Sequence, residues 1–262
     1  MNHESIEEWW DEVSSYYQEE IGSDDLKTVR YGPFGSTERK LRLLGDVRGM
    51  KILELGCGGG QTSIALAKRG AKCVGIDISE KQLGHARKLA KKNNVAVEFI
   101  KKSFSDLEHP SDSFRNGSFD IVVSVFALQY ARDLDRVLRG ASRVLKTRGL
   151  LVFSIDHPFY LLIDPETMEI EDSYYRTGKL EEEEKWPEGS RHTFVMYRRR
   201  VSDVVNALVR NGFAVERIEE PFDPDDKVWG SGYRRKLVRR IGPTIIFKCR
   251  KTPTKLLMRK GY

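Results

Sequence analysis

The sequence predicts an α/β protein built on a doubly wound, mostly parallel sheet of seven strands. From Lys51 onward, short apolar segments alternate with amphipathic segments of helical period. Several apolar segments, such as FDIVVSVF (119–126), show no polar alternation, which is typical of strands covered on both faces. This alternation favours parallel strands joined by right-handed helical crossovers.

The elements follow a regular order as far as residue 155. The first thirty residues predict an amphipathic helix, since large apolar side chains recur at helical spacing (Ile6, Trp9, Trp10, Val13, Tyr16 and Tyr17). The predicted strands are 51–55, 72–77, 95–100, 119–126 and 150–155. The helices between them begin near Thr62, Ser79 and Asp133. Ser79 has Gln82 three residues later, which is a capping-box pattern.

The regular pattern ends after the fifth strand. Residues 156–200 are rich in Tyr, Glu and Arg and predict an insert. A helix from Ser202 and strands at 214–220 and 244–250 follow, and a second, basic insert (221–243) separates these two strands. We therefore predict one domain over 1–262. Its parts are a helical cap or lid (1–48), a core (49–155), an insert (156–200) and a C-terminal part (201–262).

The composition excludes several classes of protein. The 262 residues are 39% hydrophobic, which is enough for a sizeable core. The three cysteines are far apart in sequence, which fits a reducing compartment and predicts no zinc site. No apolar run approaches the ~20 residues of a membrane helix, and the N-terminus lacks a signal-peptide pattern. We therefore expect a cytoplasmic protein without membrane contact.

Positive charge is concentrated in the last part of the chain. Residues 191–262 carry 18 Lys and Arg against 7 Asp and Glu, while the whole chain has a net charge of +6. Such a region can bind an anionic partner. A solvated, highly charged surface explains the same composition, and we favour that explanation.

A glycine-rich segment, LELGCGGGQT (53–62), joins the first predicted strand to the first helix. In a doubly wound sheet, ligands bind where a strand's carboxyl end meets a helix N-terminus. Gly56, Gly58 and Gly60 leave the backbone open to a ligand, but their spacing departs from the dinucleotide pattern G-x-G-x-x-G. Asp77, at the end of the second strand, can accept both ribose hydroxyls of NAD or of another adenosine cofactor.

The stretch LELGCGGGQTSIALAKRGAKCVGIDIS (53–79) resembles the cofactor-binding half of class I S-adenosylmethionine-dependent methyltransferases. FDIVVSVFALQY and RVLKTRGLLVFSI resemble the following segments in the small-molecule branch of that superfamily. The resemblance is close over 45–155 and looser over 201–251. It implies a Rossmann-like sheet with an antiparallel last strand, a cofactor-binding core at 49–155, and S-adenosyl-L-methionine as cofactor.

The same resemblance implies roles for individual residues. The loop backbone would hold the methionine part of the cofactor, Asp77 the ribose and Ile78 the adenine. Ser103 stands where the family commonly has an Asp near the adenine amino group, and the carbonyl groups ending the fourth strand would face the sulfur. The expected cofactor-binding residues are Glu54, Gly56, Cys57, Gly58, Gly60, Gln61, Asp77, Ile78, Ser103, Phe104, Val125, Phe126 and Tyr31.

We expect methyl transfer by in-line displacement to an O, N or C atom of a small molecule. The chain has SVFALQY where some methyltransferases of exocyclic amines carry an Asn/Asp-Pro-Pro-aromatic box. Gln129 and Tyr130 follow the fourth strand and are candidates for the acceptor pocket. His157 follows the fifth strand and is the candidate general base. The aromatic N-terminal segment, Tyr31 included, is the candidate lid that excludes water.

Three alternatives stay open at the level of sequence. GYRRKLVRR (232–240) and the basic tail are compatible with an RNA methyltransferase, which we rank lower because no separate RNA-binding module is recognisable. A nicotinamide dehydrogenase is disfavoured by the glycine spacing, and a non-catalytic cofactor-binding protein is the third alternative. No His, Asp or Glu grouping has metal-ligand spacing, and the sequence indicates no oligomeric state.

Overall fold

The computed structural model describes residues 3–21, 26–109, 114–185, 191–223 and 235–253. Its strands are β1 (Lys51–Leu55), β2 (Lys72–Asp77), β3 (Val97–Lys101), β4 (Phe119–Val125), β5 (Leu145–Asp156), β6 (Gly178–Lys185), β7 (Arg191–Arg198), β8 (Phe213–Glu219) and β9 (Thr244–Lys251). Its helices are α1 (His3–Ile21), α2 (Glu38–Leu41), α3 (Gln61–Lys68), α4 (Glu80–Lys92), α5 (Leu134–Val144), α6 (Val201–Arg210) and α7 (Arg235–Val238).

Seven strands form one sheet in the order β3-β2-β1-β4-β5-β9-β8. The strands β1 to β5 run parallel, whereas β9 lies antiparallel between β5 and β8. The predicted seven-stranded, doubly wound sheet with an antiparallel last strand is therefore confirmed. The strand order reverses between β1 and β4, and a crevice opens at the carboxyl ends of strands at such a reversal.

Alternate residues of the central strands pack on opposite faces of the sheet. Leu53, Val122 and Phe153 belong to the apolar cluster that includes α5 and α6. Their neighbours Ile52 and Val123 belong to a second cluster, formed with Val29, Tyr31, Leu43 and Val47 of the N-terminal region. The part of the cap after α1 is therefore one wall of the core, which explains why the strands lack polar alternation.

Side-chain caps fix two of the helices that follow the strands. Ser79 Oγ accepts a hydrogen bond from Gln82 N at 3.1 Å and begins α4. Asp133 Oδ1 accepts from Arg136 N at 2.9 Å and begins α5. Such caps satisfy amide groups that have no partner inside the helix. Both helix starts agree with the sequence pattern.

The structure differs from the sequence expectation around the fifth strand and the inserts. β5 begins at Leu145 rather than at residue 150, because the segment expected to turn stays extended around a bulge at Arg148, whose φ is +64°. The first insert contains the antiparallel hairpin β6–β7, which pairs apart from the main sheet. Residues 224–234 of the second insert and the basic tail (254–262) lie outside the described residues.

Candidate active site

The glycine-rich loop between β1 and α3 is packed closely on three sides. Gly56 has φ +65°, and a Cβ there would lie 2.4 Å from the Cβ of Ala127. Gly60 has φ +80°, and its Cβ would lie 2.7 Å from the ring of Phe99. Cys57 N donates to Ile76 O at 2.9 Å, which ties the loop to β2. The positive φ angles and these close contacts require glycine at both positions.

Asp77 ends β2 beside this loop and is 9% exposed. Its Oδ2 accepts from Gly58 N at 2.8 Å, and its Oδ1 accepts from Ser79 N at 3.0 Å. Burial raises the pKa of this carboxyl group. The backbone N–H group of Ile78 also bonds to Asp77; since a carboxylate offers about four acceptor positions, one remains for a ribose hydroxyl. Nearby, the buried Gln82 Nε2 has no hydrogen-bond partner among the described residues. The free acceptor position and this free donor fit a nucleoside that carries an amino-acid chain.

Two of the expected cofactor residues, Glu54 and Cys57, have side chains that are buried under the glycine loop. Glu54 is buried, and its Oε2 accepts from Ser63 N at 2.9 Å and from Ser63 Oγ at 2.5 Å. Burial raises the pKa of Glu54 to about 8 and also raises the pKa of the Cys57 thiol. The Glu54 side chain therefore stabilises the first turn of α3, and the Cys57 side chain is buried under the loop.

The neighbouring expected residues lie around the same crevice. Phe104 is 3.8 Å from the Cβ position of Gly56, and Ser103 Oγ accepts from Ser105 N to begin a short 3₁₀ turn. Ile78 and Val125 are half-buried at the ends of β2 and β4. Phe126 adopts φ +53°, a backbone conformation that is uncommon for a residue with a side chain and is found at functional sites.

Tyr31 does not lie where the sequence predicts it. Its side chain is 0% exposed, and its hydroxyl donates to Glu38 Oε2 at 2.7 Å. Burial, with the nearby Glu38 carboxylate, raises the pKa of Tyr31. The following residue, Gly32, packs against the ring of Phe126. In this conformation Tyr31 therefore supports the wall of the core and presents no surface to the crevice.

The predicted lid corresponds to α1, which lies across the glycine loop. Gln61 Nε2 donates to Gln18 Oε1 at 2.5 Å, and Gln18 Nε2 donates to Gln82 Oε1 at 2.7 Å. Ser79 Oγ donates to Asp11 Oδ1 at 2.5 Å. These polar contacts join successive turns of α1 to the residues that surround the crevice.

An aromatic cluster joins α1 to the hairpin. The rings of Trp10 and Tyr130 lie 5.4 Å apart, those of Tyr130 and Phe194 5.6 Å, and those of Trp9 and Phe194 5.2 Å. Tyr130 thus connects the turn after β4 with both elements. Tyr17 also packs on Trp10, and burial with the charges of Asp156 and Asp77 raises its pKa. The Tyr17 ring therefore lies close to the carboxylates that end β2 and β5.

A second depression, here called the acceptor cleft, opens beside this point. It encloses about 440 Å³ of space, part of which is open solvent. Its walls come from the turn after β4, the end of β5, the first insert and β7. They are lined by Gln129, Ile155, Asp156, Pro158, Leu161, Leu162, Tyr174, Arg176, Thr177, Met196, Tyr197, Arg198 and Arg199.

Asp156, the last residue of β5, is the titratable group that the sequence reasoning missed. It lines the acceptor cleft, and burial raises its pKa to about 7. A carboxyl group with that pKa can exchange a proton near neutral pH. Its position in the sequence could have identified it, because Asp156 ends β5 just as Asp77 ends β2.

The geometry does not support His157 as the general base. His157 is 4% exposed, and its Nδ1 accepts from Phe159 N at 3.2 Å. Its Nε2 lies 2.8 Å from Glu220 Oε1 and is the donor when the ring is neutral. Both ring nitrogens are therefore engaged, and the imidazole orders the segment after β5. The neighbouring Asp156 takes the position expected of a base.

Gln129 lines the acceptor cleft. It is 4% exposed, and its Nε2 donates to Phe126 O at 3.1 Å. Its Oε1 is buried without a hydrogen-bond partner in the described part of the chain. Tyr130, the other candidate for the acceptor pocket, is not among the lining residues, and its ring packs between Trp10 and Phe194.

The residues that the structure describes show neither a metal-binding cluster nor a membrane-spanning helix. Among them, no group of three or more His, Cys, Asp or Glu side chains is arranged to hold a metal ion. Likewise, none of the helices within the described ranges combines the length and apolarity that crossing a membrane requires.

Comparison with known proteins identifies the core of the chain. Residues 53–153 match a family described as a methyltransferase domain. An uncharacterised protein of Haemophilus influenzae is 30% identical over 224 residues, which is 80% of this chain and 85% of the relative. A structure described as an S-adenosylmethionine-dependent methyltransferase of Mesorhizobium loti has a TM-score of 0.58 and 27% identity. It covers 81% of this chain and 96% of its own.

A further relative matches a shorter part of the chain. The ubiquinone biosynthesis O-methyltransferase of Actinobacillus pleuropneumoniae is 31% identical over 106 residues, which is 40% of this chain and 45% of the relative. The match thus spans less than half the length of that enzyme.

Proposed function

We propose a function for this chain, which belongs to the class I S-adenosylmethionine-dependent methyltransferase family. It transfers a methyl group from S-adenosylmethionine to an oxygen or nitrogen atom of a small molecule, with a hydroxyl oxygen as the acceptor that the site favours. Two observations carry the proposal: the glycine loop bonded to Asp77 at the end of β2, and the acceptor cleft, which is lined by Asp156 at the end of β5.

The cofactor would be held by the loop backbone at Gly56 and Gly58, by Asp77 and by Gln82. Asp77 has an acceptor position left for a ribose hydroxyl, and Gln82 Nε2, which has no partner among the described residues, can donate to the amino-acid carboxylate. When bound, S-adenosylmethionine supplies an activated methyl group on a positively charged sulfur. Gln18, placed across the loop by α1, limits access of water to this region.

The residues of the acceptor cleft supply position and a proton acceptor. Holding the attacking oxygen, the methyl carbon and the sulfur in line can lower the barrier by roughly 7–11 kcal/mol. Asp156, when ionised, accepts the proton of the attacking hydroxyl group. Gln129 Oε1, buried in the cleft wall, accepts a hydrogen bond from a donor on the acceptor molecule.

Two observations support a hydroxyl acceptor. A neutral hydroxyl group must lose its proton to a base when its oxygen is methylated. Asp156 suits that role because its pKa is raised to about 7. In addition, one relative that matches the core is named as an O-methyltransferase. A fold of this kind hosts several chemistries, so the acceptor is inferred from the cleft rather than from the fold.

The test follows thermal unfolding and methyl transfer with the full chain. S-adenosylhomocysteine is expected to raise the melting temperature in a concentration-dependent way, and NADH is expected to leave it unchanged. Label from methyl-tritiated S-adenosylmethionine should appear in at least one hydroxylated small molecule of a metabolite panel. Stabilisation by NADH alone would favour a dehydrogenase, and label only in added tRNA or rRNA would favour the RNA alternative.

A further inference from the structure

The acceptor cleft contains polar atoms that methyl transfer itself does not use. Arg198 is 9% exposed and donates through Nη1 to Asp172 Oδ2 at 2.5 Å. Its Nη2 is buried and makes no hydrogen bond to any residue that the structure describes. A buried guanidinium nitrogen without an acceptor destabilises the folded protein. An acceptor brought by a ligand would remove that penalty, because Arg198 lines the cleft.

Positive charge exceeds negative charge at the cleft even when Asp156 is ionised, since three arginines face two carboxylates, Asp156 and Asp172. Arg176, Arg198 and Arg199 all line it. Asp172 is shared between two of them, at 3.3 Å from Arg176 Nη1 and 2.5 Å from Arg198 Nη1. Arg199 donates to backbone carbonyl groups, which carry no net charge. An anionic group in the cleft would balance the excess.

The remaining walls are largely apolar. Leu162 and Met196 are buried beside the cleft, and Ile155 closes it at the end of β5. The ring of Tyr174 stacks on that of Phe159 with centroids 4.4 Å apart. A ligand that fills this space would have an apolar body and one charged end.

We propose that the methyl acceptor is a small carboxylic acid with an apolar body, whose carboxylate accepts a hydrogen bond from Arg198 Nη2. This inference rests on the proposed function and names its substrate class. A carboxylate suits the site because one guanidinium nitrogen is free, whereas the other pairs with Asp172. The carboxylate is a recognition group and is unchanged by the reaction.

The reacting group is a hydroxyl elsewhere on the acid. Its oxygen forms a bond to the methyl carbon while the carbon–sulfur bond breaks and its electron pair stays on the sulfur. The hydroxyl proton passes to the Asp156 carboxylate. The products are the methyl ether of the acid and S-adenosylhomocysteine, and the proton is later released to solvent.

Calorimetry on the full chain saturated with S-adenosylhomocysteine tests this assignment. The probes are 4-hydroxybenzoate, 3-(4-hydroxyphenyl)propanoate and 6-hydroxyhexanoate, each beside its primary amide, together with 4-hydroxyphenyl phosphate. At least one acid is expected to bind the parent protein about tenfold or more tightly than its amide, as a hydrogen bond to a charged group implies.

Three variants connect that preference to Arg198. Arg198→Met should remove the preference for the acid and leave the amide affinity unchanged, and Arg198→Lys should restore part of it. Arg210→Met is the matched control, since Arg210 is exposed on α6 and pairs with Asp135 away from the cleft. Arg210→Met should bind the acid more tightly than its amide by the same factor as the parent protein does.

The outcomes separate the two proposals. If S-adenosylhomocysteine binds and no acid is preferred, or the preference persists in Arg198→Met and Arg198→Lys, the carboxylate assignment is overturned and methyl transfer stands. Tighter binding of the phosphate ester than of every acid would also overturn it. If S-adenosylhomocysteine itself does not bind, both proposals fail.

Discussion

At the scale of single residues, burial decides what each polar group can do. Asp156 and His157 are neighbours after β5, yet only Asp156 lines the acceptor cleft, since both nitrogens of His157 are engaged. From the sequence alone, His157, which lies between an acidic residue and a proline, is a reasonable candidate for the general base. The sequence does not reveal that Phe159 N and Glu220 bind its ring, because these contacts form only in the folded chain.

The pH dependence of turnover tests the role of Asp156. Since burial raises its pKa to about 7, the protonated, inactive form dominates below that pH. The rate should therefore rise about tenfold per pH unit below 7 and level off above it. Asp156→Asn should lower turnover by ~10²–10⁴-fold and lose this rise, while binding of S-adenosylhomocysteine is retained. Asp46→Asn, at an exposed carboxylate, is the control; an unchanged pH profile in Asp156→Asn would reject the assignment.

Glu54 gives a prediction for stability rather than activity. Its pKa is raised from 4.5 to about 8 in the folded protein by burial, so the folded state holds this proton more tightly than the unfolded state. The free energy of unfolding should therefore fall as pH rises from about 4.5 to 8. Glu54→Gln keeps an acceptor for Ser63 and should show a smaller fall. Equal slopes for the two proteins in urea unfolding between these pH values would show that Glu54 does not titrate there.

At the scale of elements, local pattern predicted the strands of the main sheet and an N-terminal helix, but not the hairpin or the contacts that α1 makes. The strands of the sheet carry apolar runs that report their own burial, and Ser79 and Asp133 mark helix starts. The hairpin β6–β7 was not predicted, since a run of four Glu gives no apolar alternation. The contacts of α1 with Gln61, Gln82 and Ser79 join residues about 40 to 70 positions apart, and no local pattern encodes such pairings.

The contact of α1 with the glycine loop yields its own prediction. Gln18→Ala removes hydrogen bonds to Gln61 and Gln82 and should weaken binding of S-adenosylhomocysteine about three- to tenfold, since each neutral hydrogen bond contributes about 1 kcal/mol. Ser15→Ala, at an exposed position of the same helix, should bind as the parent does. Calorimetric titration measures the affinity of both variants for S-adenosylhomocysteine. Equal affinities for Gln18→Ala and Ser15→Ala would mean that α1 does not assist cofactor binding.

At the scale of the whole molecule, several of the basic side chains in the C-terminal part pair with carboxylates of the same fold. Arg250 pairs with Glu216, Arg210 with Asp135 and Arg200 with Asp203. These pairs favour a solvated charged surface over an RNA-binding face for the described residues. Binding of tRNA should accordingly be weak at 150 mM salt in a filter-binding assay. Tight binding with a steep salt dependence would instead support the RNA alternative.

In the proposed function, the glycine loop and Asp77 together hold an adenosyl cofactor. Calorimetric titration of S-adenosylhomocysteine into the parent protein and into Asp77→Ala measures their contribution, with melting curves of both proteins to confirm folding. The parent should bind one equivalent, and Asp77→Ala should bind at least tenfold more weakly, because the ribose and the Gly58 amide both lose an acceptor. Absence of binding to the parent, or equal affinity in a folded Asp77→Ala, would contradict the account.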